Sequence, residues 1–265
     1  MPTIHRFQAG LLPVNAYAVE TDAGAVVVDA TLAVSDARRL RAWAEEAAGP
    51  LAAVLLTHPH PDHYGGLVEL VRGLDVPVYA APGVTAAARR DDAAKEQILR
   101  PMFGDEWPAE RAFPTDDVAD GEAVEVGGVR FRLVDLGPGE SPHDSAWAVE
   151  GTPDVFCGDL VYAHMHSYLA DGHYEAWLDT IERARTLFPP DVVFHPGHGE
   201  PGGRELLDWQ AGYLRTFLDA VRAADGEDEA VTQAVTAAMT DYLPSEDLLF
   251  LMQLSVPPVR QQLAA

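Results

Sequence analysis

Residues Leu51–Gly66 read LAAVLLTHPHPDHYGG. The first six form a continuous apolar run, the pattern of a strand buried on both faces. That strand empties into Thr57-His58-Pro59-His60-Pro61-Asp62-His63, so three of the chain's ten histidines and one aspartate fall within six residues. Imidazole nitrogens and carboxylate oxygens are the usual ligands of zinc and similar divalent ions. Four such groups on one rigid turn cannot all reach a single tetrahedral ion alongside other ligands, but they can serve two adjacent ions. The turn reads as a metal site.

Working outward, Asn15–Glu20 alternates in polarity, and Ala25–Asp29 (AVVVD) is a short buried strand closed by a polar residue. Ser35–Ala48 has helical spacing and stops at Gly49-Pro50. Downstream, Gly66–Val71 predicts a short helix, Val76–Ala80 a strand, and Pro82–Arg90 a helix opened by its proline. The stretch Asp91–Asp120 mixes charge, prolines and the bulky Met102, Phe103, Trp107 and Phe113. It reads as a long loop or loose helical insertion of the kind that forms lids. A strand-rich block follows: Ala123–Val126 and Val129–Val134 around the hairpin signal Gly127-Gly128, then Ala146–Val149 and Val155–Cys157. A helix is predicted over Tyr174–Leu187 and a strand over Val192–His195, with Glu205–Ala265 mainly helical. Two strand-rich halves with helices between them imply a layered α/β architecture, helices outside.

The stretch THPHPDHYGG resembles the signature of the metallo-β-lactamase superfamily. The resemblance runs in order over roughly residues 10–200. AYAVETDAGAVVVDAT resembles the family's first hairpin, and PGESPHD falls where the family has a Pro-Gly-His motif. FCGDLVY resembles the strand that ends in a bridging aspartate, and VVFHPGHGEPG the final Pro-Gly-His-Gly turn. The fold implied is a four-layer αββα sandwich over residues 1–204, with a C-terminal helical extension over 205–265 packing on the same domain.

Carried over position by position, the resemblance implies two metal sites. His58 and His60 belong to the first, Asp62, His63 and His198 to the second, and Asp159 bridges both. The chain departs from the family at the remaining ligand of the first site, where Glu140 stands in place of the usual histidine; His143, three residues on, is the alternative. Tyr162 lies three residues after Asp159, where some lactonases of the family place a tyrosine that contacts the substrate carbonyl. A phenol there can donate to developing oxyanion charge; the alternative is a half-buried tyrosine at a strand end. His166 is expected to contact substrate.

The implied cofactor is a pair of divalent ions, zinc being expected and manganese or ferrous iron the alternatives. The implied activity is a metal-dependent hydrolase in which a metal-bridged hydroxide attacks a small ester, lactone, thioester or amide, with Asp62 both ligand and proton shuttle. Two other readings stand beside it: a mononuclear iron sulfur-oxidising dioxygenase of the persulfide type, which Glu140 disfavours, and a metal-binding member without catalysis.

Composition narrows the partners. Of 265 residues, 18 are basic and 42 acidic, a formal charge of −24, and Lys95 is the only lysine. Such a chain has no basic surface to release counterions from nucleic acid or to sit on anionic lipid. A small-molecule substrate is expected, and homo-oligomerisation is left open. The single Cys157 excludes an intrachain disulfide. MPTIHRFQAGLLPVNAYAV lacks a basic segment followed by a long apolar one, and no apolar run approaches a membrane span, so a cytoplasmic protein is expected.

Overall fold

The computed structural model describes residues 1–264. In its first sheet, β1 (Ile4–Gln8), β2 (Asn15–Thr21), β3 (Gly24–Val28), β4 (Leu51–Leu55), β5 (Val78–Ala80) and β6 (Asp116–Asp117) lie side by side in chain order. The first three strands form an antiparallel meander, while β3 to β6 run parallel. Parallel neighbours require crossovers. Helix α1 (Val34–Ala48) makes one, α2 (Pro61–Tyr64) and α3 (Leu67–Leu70) the next, and α4 (Pro82–Phe103) the third. The loops that leave β3 and β4 therefore emerge at the same edge of the sheet, and the histidine turn is one of them.

The second sheet has the order β11-β10-β9-β8-β7, made of β7 (Ala123–Val126), β8 (Val129–Gly137), β9 (Asp144–Val149), β10 (Asp154–Ala163) and β11 (Val193–Gly199). Only β10 and β11 pair in parallel, joined across α5 (Tyr174–Leu187). Gly127 and Gly128 turn the β7–β8 hairpin with φ of 51° and 78°, as their sequence predicts.

Side-chain alternation separates the layers. Phe131 and Leu133 of β8, Trp147 and Val149 of β9, and Phe156 of β10 join the core shared with the first sheet and α1. Val134, Leu136, Ala146, Ala148, Val155 and Cys157, on the opposite face, join the core under α5 and the C-terminal helices. Both faces of the second sheet are thus buried, as the four-layer sandwich requires. Trp147 is fully buried and donates its indole N–H to Leu56 O at 2.9 Å, and Ser145 Oγ donates to Thr57 O at 2.6 Å. These two bonds tie the second sheet to the backbone that opens the histidine turn. Truncating such an aromatic commonly costs about 3–5 kcal/mol, so the turn's foundation is firm.

The helix that starts at Pro82 does not stop at Arg90 but continues to Phe103, so the first part of the stretch expected to be a long loop or loose helical insertion is helical. Its continuation, DDAAKEQILR, is good helix-forming sequence after its two aspartates and carries a Glu96–Arg100 pair one turn apart at 2.9 Å. Mixed charge there marks a solvent face rather than irregular chain. The strands β1 and β6 were not predicted; β6 is two residues long and β1 lies on the sheet edge.

After Glu205 the chain forms α6 (Glu205–Ala223), α7 (Asp228–Tyr242) and α8 (Leu249–Leu263). Helix α6 buries Leu207, Leu214, Phe217 and Val221 at helical spacing in the core of the second sheet. Among the described residues, no helix is long and apolar enough to cross a membrane.

Candidate metal centre

Four segments meet at the edge where β3, β4, β10 and β11 end. Pro61 opens α2 immediately after the extended His60, so the chain turns sharply and presents His58, His60, Asp62 and His63 inward. Asp159 enters from β10, where Gly158 adopts φ 50° and breaks the register with β11. A Cβ on Gly158 would stand 2.7 Å from Thr57 Oγ1, and one on Gly197 would stand 2.1 Å from Asp159 Oδ1. Both glycines are needed for the backbones to approach the cluster this closely. His198 follows Gly197 on β11.

Glu140 comes from the β8–β9 loop. Asp144 shapes that loop by accepting the backbone N–H groups of Glu140 at 2.7 Å and Ser141 at 3.2 Å. This turns the Glu140 side chain into the cluster. Of the two alternatives for the departure from the family motif, the structure brings Glu140 to the site. The ring of His143 lies against Gly83 at the start of α4 instead.

The ligand-type atoms fall into three overlapping groups, each with its atoms within 4.8 Å of one another: His58, His60 and Glu140; His58, His63 and Asp159; and Asp62, His63 and His198. Glu140 Oε2 is 3.6 Å from His58 Nε2 and 2.6 Å from His60 Nδ1. Asp159 Oδ2 is 3.9 Å from His58 Nε2 and 3.3 Å from His198 Nε2, and its Oδ1 is 3.4 Å from His63 Nε2. Asp62 Oδ2 is 3.3 Å from His198 Nε2 and 3.8 Å from His63 Nε2. Ligand atoms held about 2.0–2.2 Å from a tetrahedral ion lie about 3.3–3.6 Å apart, so most of these spacings fit shared cations without rearrangement. The 2.6 Å contact of His60 with Glu140 is the one that must widen.

Hydrogen bonding supports the same fit. His58 Nε2, His63 Nε2, His198 Nε2 and Asp159 Oδ1 are buried without a hydrogen-bond partner among the described residues. Leaving so many polar atoms unsatisfied is costly unless a further group fills the space between them. The far nitrogens are all engaged. Thr57 Oγ1 gives its proton to Asp29 Oδ2 at 2.8 Å and so accepts from His58 Nδ1 at 3.1 Å. His63 Nδ1 donates to Asp29 Oδ2 at 2.8 Å, His198 Nδ1 to Pro13 O at 2.7 Å, and His60 Nε2 to Asp171 Oδ2 at 3.0 Å. Each outer bond fixes the tautomer that turns a lone pair toward the centre, the usual support for metal-binding histidines.

Burial and the neighbouring His63 hold His58 well below its usual range, while the other three histidines of the cluster are raised. Burial alone would lower His63 and His198, but Asp159 and its neighbouring carboxylates outweigh it, holding His63 well above the usual range and His198 at about 10. The same holds for His60 through Glu140 and Asp171. Burial pushes Glu140 up to about 8 against the pull of His60. A cation entering the cluster would displace these protons, because only deprotonated ligands coordinate.

Tyr162 is fully buried, stacks on the His198 ring at 4.7 Å and donates its hydroxyl to Glu140 Oε1 at 3.0 Å. Burial and nearby Asp159 hold the phenol well above its usual range, so it stays protonated. His166 does not reach the site. It is buried among the C-terminal helices, with Nε2 donating to Ser245 O at 3.0 Å and Nδ1 accepting from Tyr213 at 2.9 Å. The substrate contact expected for it is thereby corrected: the segment after β10 turns at His164, with φ 61°, and carries His166 behind the sheet.

Sequence reasoning missed Thr57, Asp29, Asp144 and Asp171. A signal existed for Asp29, the polar residue closing the buried run AVVVD, which adopts φ 62°. None marked Asp171, which lies over a hundred positions from His60.

Two packed sheets clad in helices, with a histidine–carboxylate cluster at their edge, define the class of αββα metal-binding sandwiches. The sequence profile of the metallo-beta-lactamase superfamily matches residues 9–198, and the chain belongs to that superfamily. It is similar to the hydroxyacylglutathione hydrolase of Bdellovibrio bacteriovorus, 28% identical over 214 residues that cover 81% of this chain and 69% of that protein. It also resembles the hydroxyacylglutathione hydrolase of Methylococcus capsulatus, 31% identical over 54% of this chain and 47% of that one, so the match spans about half of that relative's length. Among solved structures, a metallo-beta-lactamase family protein from Thermus thermophilus superposes with a TM-score of 0.71 at 22% identity, covering 99% of this chain and 94% of that one. A beta-lactamase domain protein from Burkholderia ambifaria gives 0.70 at 21%, covering 98% and 86%. The likeness of fold therefore includes the helices after Glu205.

Proposed function

We propose that the chain is a hydrolase that holds two divalent ions and cleaves a small ester, lactone, thioester or amide. The observation that carries this reading is the convergence of two complete donor sets, one with Glu140 and one with Asp62, on either side of Asp159. His58, His60 and Glu140 would hold the first ion, and Asp62, His63 and His198 the second, with Asp159 between them. Ions bound there supply Lewis acidity toward a carbonyl oxygen and bring the acidity of water close to neutral pH. Zinc is the metal we favour, with manganese or ferrous iron as alternatives.

The protein's own groups have separable tasks. Asp62 is the most exposed side chain of the cluster, at 14%, and it lines the cleft beside the site. It is placed to take up and return a proton. Tyr162 fixes the carboxylate of Glu140 and borders the same cleft, where its protonated hydroxyl can turn to a substrate carbonyl. Glu140 breaks the family's persulfide-dioxygenase pattern, but one observation favours an iron oxygenase as a second reading: His58, His60 and Glu140 form a two-histidine, one-carboxylate set of the general kind that suits ferrous iron. The second donor set counts against it.

The test is to strip the purified protein of metal, restore zinc, manganese or ferrous iron singly, and screen esters, lactones, thioesters and amides. Turnover that returns with metal supports hydrolysis. Oxygen consumption with iron alone, and no hydrolysis of any class, would replace it by the second reading. With a substrate in hand, Tyr162→Phe is expected to lower kcat about tenfold or more with little change in KM, the signature of an interaction made in the transition state. Unchanged kinetics would leave Tyr162 a packing residue.

A further inference from the structure

Large apolar side chains that remain in water on a folded chain are informative when they gather in one place. Ile98 and Met102 of α4 and Phe250 and Leu254 of α8 are 58%, 53%, 41% and 54% exposed. All four line a single cleft of about 160 Å³ that is open to solvent. Its floor is the metal cluster: His60, Asp62, Glu140 and Tyr162 border the same space. Leu12 and Leu32 close the sides, and Lys95 is the one cation on the wall. The cleft is thus polar at the reacting end and apolar along two helices that reach over it from distant parts of the sequence.

We propose that the substrate is an ester, lactone or thioester of an apolar acyl chain, with that chain lying between α4 and α8, and that Met102 and Leu254 set the preferred chain length. This rests on the hydrolytic reading above. An apolar surface joined to a reactive polar floor suits a molecule with the same division, and a pocket of this kind gains affinity with every methylene it removes from water. A glutathione thioester suits it less, because glutathione carries two carboxylates and the wall offers one ammonium.

Two measurements separate this inference from the reading beneath it. In the first, binding of acetate, butyrate, hexanoate, octanoate and decanoate to the zinc-loaded protein is followed by calorimetry. Affinity is expected to rise about two- to fourfold per methylene until the cleft is filled. Met102→Asp and Leu254→Asp, both at exposed positions, are expected to cut that slope to less than half while leaving the circular dichroism spectrum unchanged. In the second, nitrophenyl esters and N-acetylcysteamine thioesters of the same acids are compared, and kcat/KM is expected to follow the same trend. Equal affinity for acetate and decanoate would overturn the inference. So would faster turnover of a short hydroxyacyl glutathione thioester than of the octanoyl thioester. The same holds if the two aspartate variants dissociate a dimer without altering chain-length dependence. Decanoate binding without cleavage of any ester would instead remove the hydrolytic reading while leaving the acyl cleft in place.

Discussion

Asp159→Asn is expected to lower turnover by about a hundredfold to a thousandfold and to reduce bound metal from two ions to one or fewer. The side chain keeps its shape but loses the charge that faces three imidazoles, His58, His63 and His198. Cooperation between two metal sites is worth several kcal/mol of transition-state stabilisation, which sets the scale of the loss. A folded variant is required for the comparison. Asn retains one oxygen to accept a hydrogen bond, and with less negative charge in the cluster His63 and His198 hold their protons less tightly. Metal analysis and steady-state kinetics on the same preparation check the result; full activity with two ions would show that Asp159 does not link the sites.

Glu140 carries the second large effect. Its carboxylate adds a negative charge where the family usually has a neutral imidazole, and oxygen ligands match harder ions such as manganese or ferrous iron better than nitrogen does. Added charge also weakens the Lewis acidity felt by water at the site. Glu140→His is therefore expected to shift metal preference toward zinc and to move the activity optimum down by about one pH unit. Glu140→Ala is expected to lose the first ion and, with it, most activity, and to free the Tyr162 hydroxyl that now donates to Oε1. His143→Ala should change neither metal content nor pH profile, because that ring lies against Gly83. Competitive metal titrations and pH–rate profiles of the three variants check these outcomes. An emptied first site in His143→Ala with an intact one in Glu140→Ala would reverse the assignment.

The strands that carry the cluster were readable because burial on both faces leaves an unbroken apolar run, as in β3 and β4, and because the donor residues follow them directly. The meeting of His58, Asp159 and His198 came from motif order rather than from any local pattern, since the turn after β4, the middle of β10 and the end of β11 are far apart in the chain. What stayed illegible depends on tertiary context. Asp171 and Asp144 act by hydrogen bonds to His60 and to the Glu140 backbone, and nothing in their neighbourhood announces that. The length of α4 was hidden by a composition that helices and solvated loops share. His166 looked like a cleft residue on spacing alone, and the turn at His164 sends it elsewhere. The apolar cleft was equally hidden, because α8 reaches it from more than a hundred residues beyond α4.

The claim on which the rest depends is that this chain gathers two cations, one on each side of Asp159. The direct measurement is the metal content of the protein after equilibration with excess zinc or manganese and removal of loosely held ions. The account predicts two ions per chain. A content that stays at or below one ion under that excess would contradict it.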